Sequence, residues 1–337
     1  MNQDEMLDDL AERIQQMQVK ARDKARKKIP STPLKRGFHA KGIGFRATFK
    51  VNSNIPQPFQ VDFFKPNMEY DSLVRFSNAR GEVLGDLAKD QRGIAVRVKT
   101  IPRTALTWND FTDSQDFLMT NTPVSFARNP VQFIEVGEML LDGTAMVPFR
   151  LIQKYGFEEA RRILGVFLAP ILSFKPLQMN QYWSRTSYKF GNTSIRYLLR
   201  PSAGSKTISS IEQIFNALRS LFTGTPAKEN YMRETLLASL KEQDLCFDFC
   251  IQPYVDALHT PIEDAYIEWK EFNSPPIPIA TLTIPRQEFD LRLQTDIERV
   301  AFNPWNTREI TPLGLINLAR KKVYDASATN RGTPVKE

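Results

Sequence analysis

The sequence holds little of what most often carries chemistry. Among 337 residues there are two histidines, His39 and His259, and two cysteines, Cys246 and Cys250. Two histidines cannot build an ordinary three-histidine zinc centre. Two cysteines four positions apart are no disulfide framework, and so sparse a pair fits a reducing compartment. On a strand they share a face yet stand about two residue pairs apart, too far to bridge, and they are expected in the core. HExxH, GxSxG, paired CxxC and Walker loops are missing. So is GxGxxG, which counts weakly against a Rossmann site. The longest apolar run, Ile163 to Phe174, is about 12 residues with Pro170 inside it, too short to span a bilayer. The opening stretch, MNQDEMLDDLAERIQQ, is acidic rather than basic and then apolar, so no signal peptide is expected. These absences together predict a soluble, cytoplasmic protein.

What is present is ordinary in bulk and informative in pattern. With 42% hydrophobic and 25% charged residues the chain has a globular composition. Lys and Arg number 45 against 38 Asp and Glu, a formal charge of +7 that suits many anionic partners. No basic stretch is interleaved with base-stacking aromatics in a known motif, so nucleic acid is not expected. The cluster Lys20, Arg22, Lys24, Arg26, Lys27 and Lys28 reads as a solvated helix face. Residues 2–28 form one predicted helix, with Leu7, Leu10, Ile14 and Met17 at helical spacing, acids early and bases late. Its narrow apolar stripe predicts a packing or oligomer arm, with peripheral membrane contact as the alternative. Prolines at 30 and 33 end it. The domain reading is a helical arm over 1–30 and one barrel domain over 31–337.

After the prolines the period changes. In GFRATFKV, Phe45, Ala47, Phe49 and Val51 alternate with polar residues, the mark of a half-buried strand. Further strands are predicted at Ser72–Asn78, Gly93–Thr100, Gln115–Met119, Ser184–Phe190, Thr193–Leu199, Leu245–Pro253 and Pro278–Ile284. About eight short strands without regular intervening helices predict an antiparallel eight-stranded barrel of the α+β class. Helices interrupt the series. Asn129–Pro130 reads as an N-cap with proline at the first helical position. Phe157–Ser173, Ser209–Leu221 and Ala227–Lys241 also read as helices, and Thr311–Pro312 opens a last one carrying LGLINLARKKVYDAS.

A barrel so short of catalytic groups suggests that a cofactor carries the chemistry. On the last helix Arg320 and Tyr324 are four apart and share a face. A permanent positive charge beside a tyrosine favours phenolate over phenol, and a phenolate is a strong ligand for ferric iron. Arg331 lies on roughly the same face if the helix continues. The plain alternative is a surface helix on which Arg320 merely stacks on Tyr324. A second candidate is RGFHAKG, residues 36–42, where His39 could project into the barrel and act as a general base on a hydroperoxide. Its plain alternative is a satisfied core histidine.

The order and company of these segments decide between the readings. RGFHAKGIGFRATFKV resembles the distal-histidine segment of haem catalases. LVRFSNARGE, KDQRGIAVRVKT and NTPVSFARNPVQF resemble the segments that follow it, and IERVAFNPWN with ARKKVYDASATNR resembles the proximal segment ending in the tyrosine ligand. The resemblance covers most of 35–135, parts of 180–202 and much of 240–332. It implies ferric haem b held by Tyr324, with Arg320 keeping that tyrosine ionised and Arg36, Arg75 and Arg331 on the propionates. It implies His39 as the distal histidine with Ser77 as its partner, Phe133 and Phe126 packing near the haem, and Asp90 beside the substrate channel.

Three departures from the family pattern bear on function. Catalases carry a distal asparagine ahead of Thr-Pro, and in Thr120-Asn121-Thr122-Pro123 an ungapped match puts Thr120 there while a one-residue slip restores Asn121; Asn121 is the expectation. Phe38 stands where a valine is usual and changes access over the iron. The long N-terminal arm and C-terminal extension of full-length catalases are not seen, as in the minimal group that includes allene oxide synthases and other fatty-acid hydroperoxide enzymes. The resemblance therefore implies cleavage or isomerisation of an organic, fatty-acid-like hydroperoxide, with hydrogen peroxide as the rival substrate and a homodimer or higher oligomer as an expected assembly. The 23 phenylalanines and the basic excess would suit a greasy anionic substrate. From another class, a non-catalytic haem carrier or sensor would need Tyr324 but leave His39 dispensable.

Overall fold

The structure, a computed structural model, describes residues 2–27, 29–83, 85–86, 90–100, 113–168, 175–203 and 230–335. Nine strands form one antiparallel sheet: β1 Gly42–Val51, β2 Glu69–Asn78, β3 Arg92–Lys99, β4 Ser114–Thr120, β5 Tyr182–Trp183, β6 Tyr188–Phe190, β7 Thr193–Pro201, β8 Leu245–Pro253 and β9 Ile277–Ile284. In the order β5-β4-β3-β2-β1-β9-β8-β7 they return on themselves, because β5 pairs with both β4 and β7. Eight strands thus close an antiparallel barrel, and β6 is added outside the ring on β7. Closure leaves the ring without free edges.

Alternation along each strand decides what fills the barrel. Phe45, Phe49, Val74, Phe76, Ile94, Val96, Phe117, Phe247 and Phe249 point inward and form one buried cluster. Nine phenylalanines belong to it, with ring centroids such as Phe117–Phe249 at 4.8 Å and Phe49–Phe249 at 5.2 Å. Each such ring contributes about 1.5–3 kcal/mol by leaving water. Much of the phenylalanine content therefore belongs to the barrel core and is no sign of a greasy substrate. The packed interior also leaves no room for His39, which lies outside it, contrary to the sequence expectation.

Seven helices accompany the barrel among the described residues: α1 Gln3–Arg26, α2 Pro130–Asp142, α3 Val147–Tyr155, α4 Phe157–Leu168, α5 Tyr231–Glu242, α6 Leu291–Arg299 and α7 Leu315–Asn330. An Asn2/Glu5 capping box opens α1, and Asn129 caps α2 through Gln132 N–H at 2.9 Å. The stripe Leu7, Leu10, Ile14 and Met17 is buried in one cluster with Ile134 of α2 and Ala319 of α7. Buried Gln18 adds hydrogen bonds to the carbonyls of Lys35 (2.8 Å) and Ser327 (3.2 Å). The predicted arm is thus a wall of the molecule, its stripe used up within the chain. No described helix is long and apolar enough to cross a membrane.

Elsewhere the structure departs from the pattern in three places. Of the strand predicted over 184–190 only β6 is extended; β5 comes before it, and between them Arg185 takes a left-handed conformation at φ 62°. The last helix begins at Leu315 rather than Pro312, which forms an isolated bridge to Tyr188, while Gly314 at φ 87° makes the turn. Helices α3 and α6 were not foreseen, and the helix predicted over Ser209–Leu221 lies outside the described residues. Cys246 and Cys250 are free thiols on β8; Cys250 is buried as expected, Cys246 only half-buried, and His259 is exposed beside Asp256.

One buried ion pair ties the loop after α6 to the barrel. Arg97 grips both oxygens of Asp116 at 2.7 and 2.6 Å and also donates to Ala301 O at 2.8 Å, while Asn303 N–H donates to Asp116 at 2.9 Å. Both side chains are fully buried. Removing one partner leaves an uncompensated charge, which costs about 3–5 kcal/mol. Arg97→Met is expected to lower the urea unfolding free energy by about that amount, and the Arg97→Met/Asp116→Leu double variant to recover part of it.

Candidate functional site

The candidate site stands on the outer face of β1–β4. Strand register lines up three rows across that face. The first is Gly42, Ser77, Gly93 and Thr120; the second is Gly44, Arg75, Ala95 and Leu118; the third is Arg46, Leu73, Arg97 and Asp116. Small residues dominate the first two rows, so the face is low there. Above it lies a cavity of about 450 Å³ walled by α1, α2 and α7. That is within the span usual for small-molecule sites, about 300–1,000 Å³.

His39 closes over the first row. Its N–H donates to Ala79 O and the N–H of Ala40 to Arg80 O, each at 2.9 Å, which folds the segment back over the sheet. The residue takes φ 60°, a left-handed conformation that costs a non-glycine residue on the order of 1–3 kcal/mol. Nδ1 lies 2.9 Å from Ser77 Oγ. A Cβ at Gly93 would come within 2.6 Å of the imidazole, so only glycine lets the ring lie this close to β3. Thr120 ends the first row with its hydroxyl 3.4 Å from that of Thr122.

The second row carries charge at one end. Arg75 and Arg36 both grip Glu298, at 3.0 and 2.7 Å, and Arg331 donates to the Glu298 carbonyl at 3.4 Å. A Cβ at Gly42 would collide with the Arg75 guanidinium, so that glycine makes its space. Burial pushes the Glu298 carboxyl up, but Arg75, Arg36 and Lys35 outweigh it and hold it well below the usual carboxylate range. Burial and Arg75 both work against the charge of Arg36, and burial above all brings Arg331 down to about 10. Three cavity-lining guanidiniums thus face one carboxylate, leaving two positive charges uncompensated.

Tyr324 stands on α7 and packs against Leu73, Leu118, Val300 and Phe302. The Arg320 guanidinium lies over its ring, 5.6 Å from the centroid. Arg320 is itself fixed by Thr186 Oγ1 (2.9 Å), Asn317 Oδ1 (3.0 Å) and the Tyr188 hydroxyl (3.2 Å). Burial opposes its charge, and Tyr188, Tyr324 and Tyr197 more than offset that. Phe133 meets Phe38 edge-on at 5.1 Å and stacks on Phe126 at 4.8 Å, all three lining the cavity. Asp90 lines it too; burial raises its carboxyl, and it accepts from Arg80 N–H at 3.1 Å.

Every site residue expected from sequence borders this one cavity except Asn121. The Asn121 side chain turns away, accepting from Arg92 N–H at 2.8 Å and facing Asn180 at 3.5 Å. Thr120 occupies the cavity side instead, a correction with a simple cause. Asp116, Leu118 and Thr120 share one face of β4, and a one-residue slip would send the side chain to the other face. Sequence reading missed Arg185, Glu298 and the cavity-lining Trp183.

Comparison with known proteins agrees with this fold. The catalase family model matches residues 10–140. A catalase of the Onchocerca volvulus endobacterium is 23% identical over 298 residues, covering 80% of this chain and 55% of the relative. A Drosophila melanogaster catalase is 36% identical over 110 residues, 32% of this chain and 19% of the relative. A fungal catalase structure superposes with a TM-score of 0.70 at 19% identity, covering 93% of this chain and 62% of the other. Catalase A from Saccharomyces cerevisiae gives 0.68 at 18%, covering 93% and 64%. The barrel is a catalase fold, and residues 10–140 match the catalase family model. The chain spans about half the length of the Onchocerca endobacterium catalase and matches shorter stretches of the other curated relatives.

Two expectations follow for this catalase-fold site. Gly93→Ala places a methyl against the His39 ring, so it is expected to push the imidazole out of reach of Ser77; the His39 ring resonances, compared beside an unchanged circular dichroism spectrum, check this. The second concerns pH. His39 is pushed down to about 3, first by burial and then by Arg75, Arg185, Arg36 and Arg320. An unfolded histidine takes its proton near pH 6.5. A folded value below the unfolded one gives stability that is whole above pH 6.5 and is lost as pH falls toward 3. The haem-free chain is therefore expected to lose stability between pH 6.5 and 5, above the range of carboxylates, and urea titrations of His39→Gln should show that slope flattened.

Proposed function

We propose that the chain binds haem in this cavity and turns over an organic, fatty-acid-like hydroperoxide. The residues fit the group. Two uncompensated positive charges at Arg36, Arg75 and Arg331 equal the charge of two propionates, and charge-assisted pairs are the strong ones. Ala95, the small residue of the second row that lines the cavity, keeps the wall low enough for a flat ring. Tyr324 with Arg320 supplies the anionic oxygen that ferric haem takes in catalases. When bound, haem would supply the iron at which a peroxide O–O bond is cleaved.

The rest falls to the protein. In the tautomer that donates Nδ1–H to Ser77 Oγ, His39 presents a bare Nε2. The neutral ring, held so by burial and four nearby guanidiniums, accepts the hydroperoxide proton at Nε2 and returns it to the departing oxygen. Thr120 offers its hydroxyl to the peroxide from the same row. Phe38 and Phe133 exclude water above the histidine.

The observation that carries the choice of substrate is the far end of the cavity. Past Phe133 and Phe126 it is lined by Leu140, Val147, Leu164 and Phe167, and along α1 by Leu10, Ile14 and Met17. Hydrogen peroxide has no use for so apolar a wall, while an acyl chain would bury itself there. The catalase relatives favour hydrogen peroxide as the second reading. Turnover of a fatty-acid hydroperoxide and of hydrogen peroxide by the haem-loaded chain separates them. Fast lipid conversion with little oxygen release supports the first, and vigorous oxygen release without lipid conversion overturns it in favour of the second. Cytoplasmic location and self-association belong to the same proposal.

A further inference from the structure

In the chemistry described so far Arg185 is only one of the four guanidiniums that help keep His39 neutral. Arg185 stands in the break between β5 and β6, with Trp183, Ser184 and Thr186 beside it on the same wall. Its backbone is left-handed at φ 62°, a conformation that costs a non-glycine residue energy. Nη1 is buried and has no hydrogen-bond partner among the described residues. A buried, unpaired donor on a charged group is expensive to keep.

Its surroundings identify the charge it answers to. The next residue, Thr186, is the one whose hydroxyl accepts from Arg320 at 2.9 Å, so the two arginines are held by one short segment. Burial and the charge of Arg320 both work against Arg185, bringing it down to about 10, and Tyr324 is the group that acts in its favour. No carboxylate enters that balance. Arg320 spends its Nη1 contacts on Thr186, Tyr188 and Asn317, and Arg185 lines the same cavity as Arg320 and Tyr324.

We propose that Arg185 is a positioning residue for Tyr324, a second cation that with Arg320 draws charge from the ligand oxygen and raises the reduction potential of haem held there. This rests on the haem reading above. In a buried site an added positive charge is screened less than in water, and it favours the reduced, less positive iron. Second-shell charge and hydrogen bonding are the levers by which a haem protein tunes its iron.

The test uses the haem-loaded full chain and reads the ferric/ferrous midpoint potential. Arg185→Gln is expected to shift it negative, while Arg185→Lys, which keeps the charge, stays close to the wild type. Arg185→Met, equally neutral, takes the place of glutamine if that variant does not fold. A neutral variant with haem bound and an unmoved midpoint overturns the proposal. So does a lysine variant shifted as far as the neutral one, because charge would then not be the cause. The ferric absorption spectrum of Tyr324→Phe separates the two layers of inference. If it matches the wild type, the failure lies in the ligand assignment and takes the Arg185 proposal with it; if it changes while the Arg185 variants do not differ, the failure is that of Arg185 alone.

Discussion

Haem-loaded His39→Ala is expected to lose about 10²–10⁴-fold in hydroperoxide turnover, the usual contribution of a positioned general acid–base, while still holding its haem. The residue's setting argues for so large an effect. A left-handed backbone, two main-chain hydrogen bonds, the Ser77 contact and the bare surface of Gly93 all fix one ring orientation. A satisfied core histidine would need no such fixing. Burial and, after it, the surrounding arginines hold the ring neutral, the state in which it can take a proton. Stopped-flow mixing with a hydroperoxide, alongside the ferric spectrum, separates loss of proton transfer from loss of haem. A non-catalytic carrier predicts instead that the variant behaves as the wild type.

Tyr324→Phe is the second large effect, and it strikes binding rather than proton transfer. Haem retention is expected to fall by more than about 100-fold, the upper end for changes that only touch groups around a ligand, and turnover to sink to that of free haem. The ring remains packed against Leu73, Leu118 and Phe302, so the fold itself should tolerate the loss of one hydroxyl. Arg320, fixed by Thr186, Asn317 and Tyr188, would then face no anion at all. Gel filtration of the loaded variant, followed at the haem band, checks the result. Haem retained at wild-type strength would move the ligand elsewhere.

Much of the arrangement was legible in the sequence because period 2 is hard to disguise. GFRATFKV and LVRFSN carry their alternation openly, and the residues resembling catalase fell in one cavity. Other features escaped for physical reasons. The break between β5 and β6 sits at Arg185, where a left-handed conformation without glycine gives no local sign. The choice of Asn121 over Thr120 followed a motif, whereas counting by twos from Asp116 along β4 gives Thr120. His39 outside the barrel could have been foreseen only by asking whether nine inward phenylalanines leave space within. Glu298, a long-range partner of Arg36 and Arg75, has no signature in local pattern.

Titration of the purified chain with ferric haem tests the account most directly. It predicts saturation at one haem per chain with the absorption spectrum of a tyrosinate-ligated ferric haem, and loss of that spectrum in Tyr324→Phe. No saturable binding, or the same spectrum without Tyr324, would contradict it.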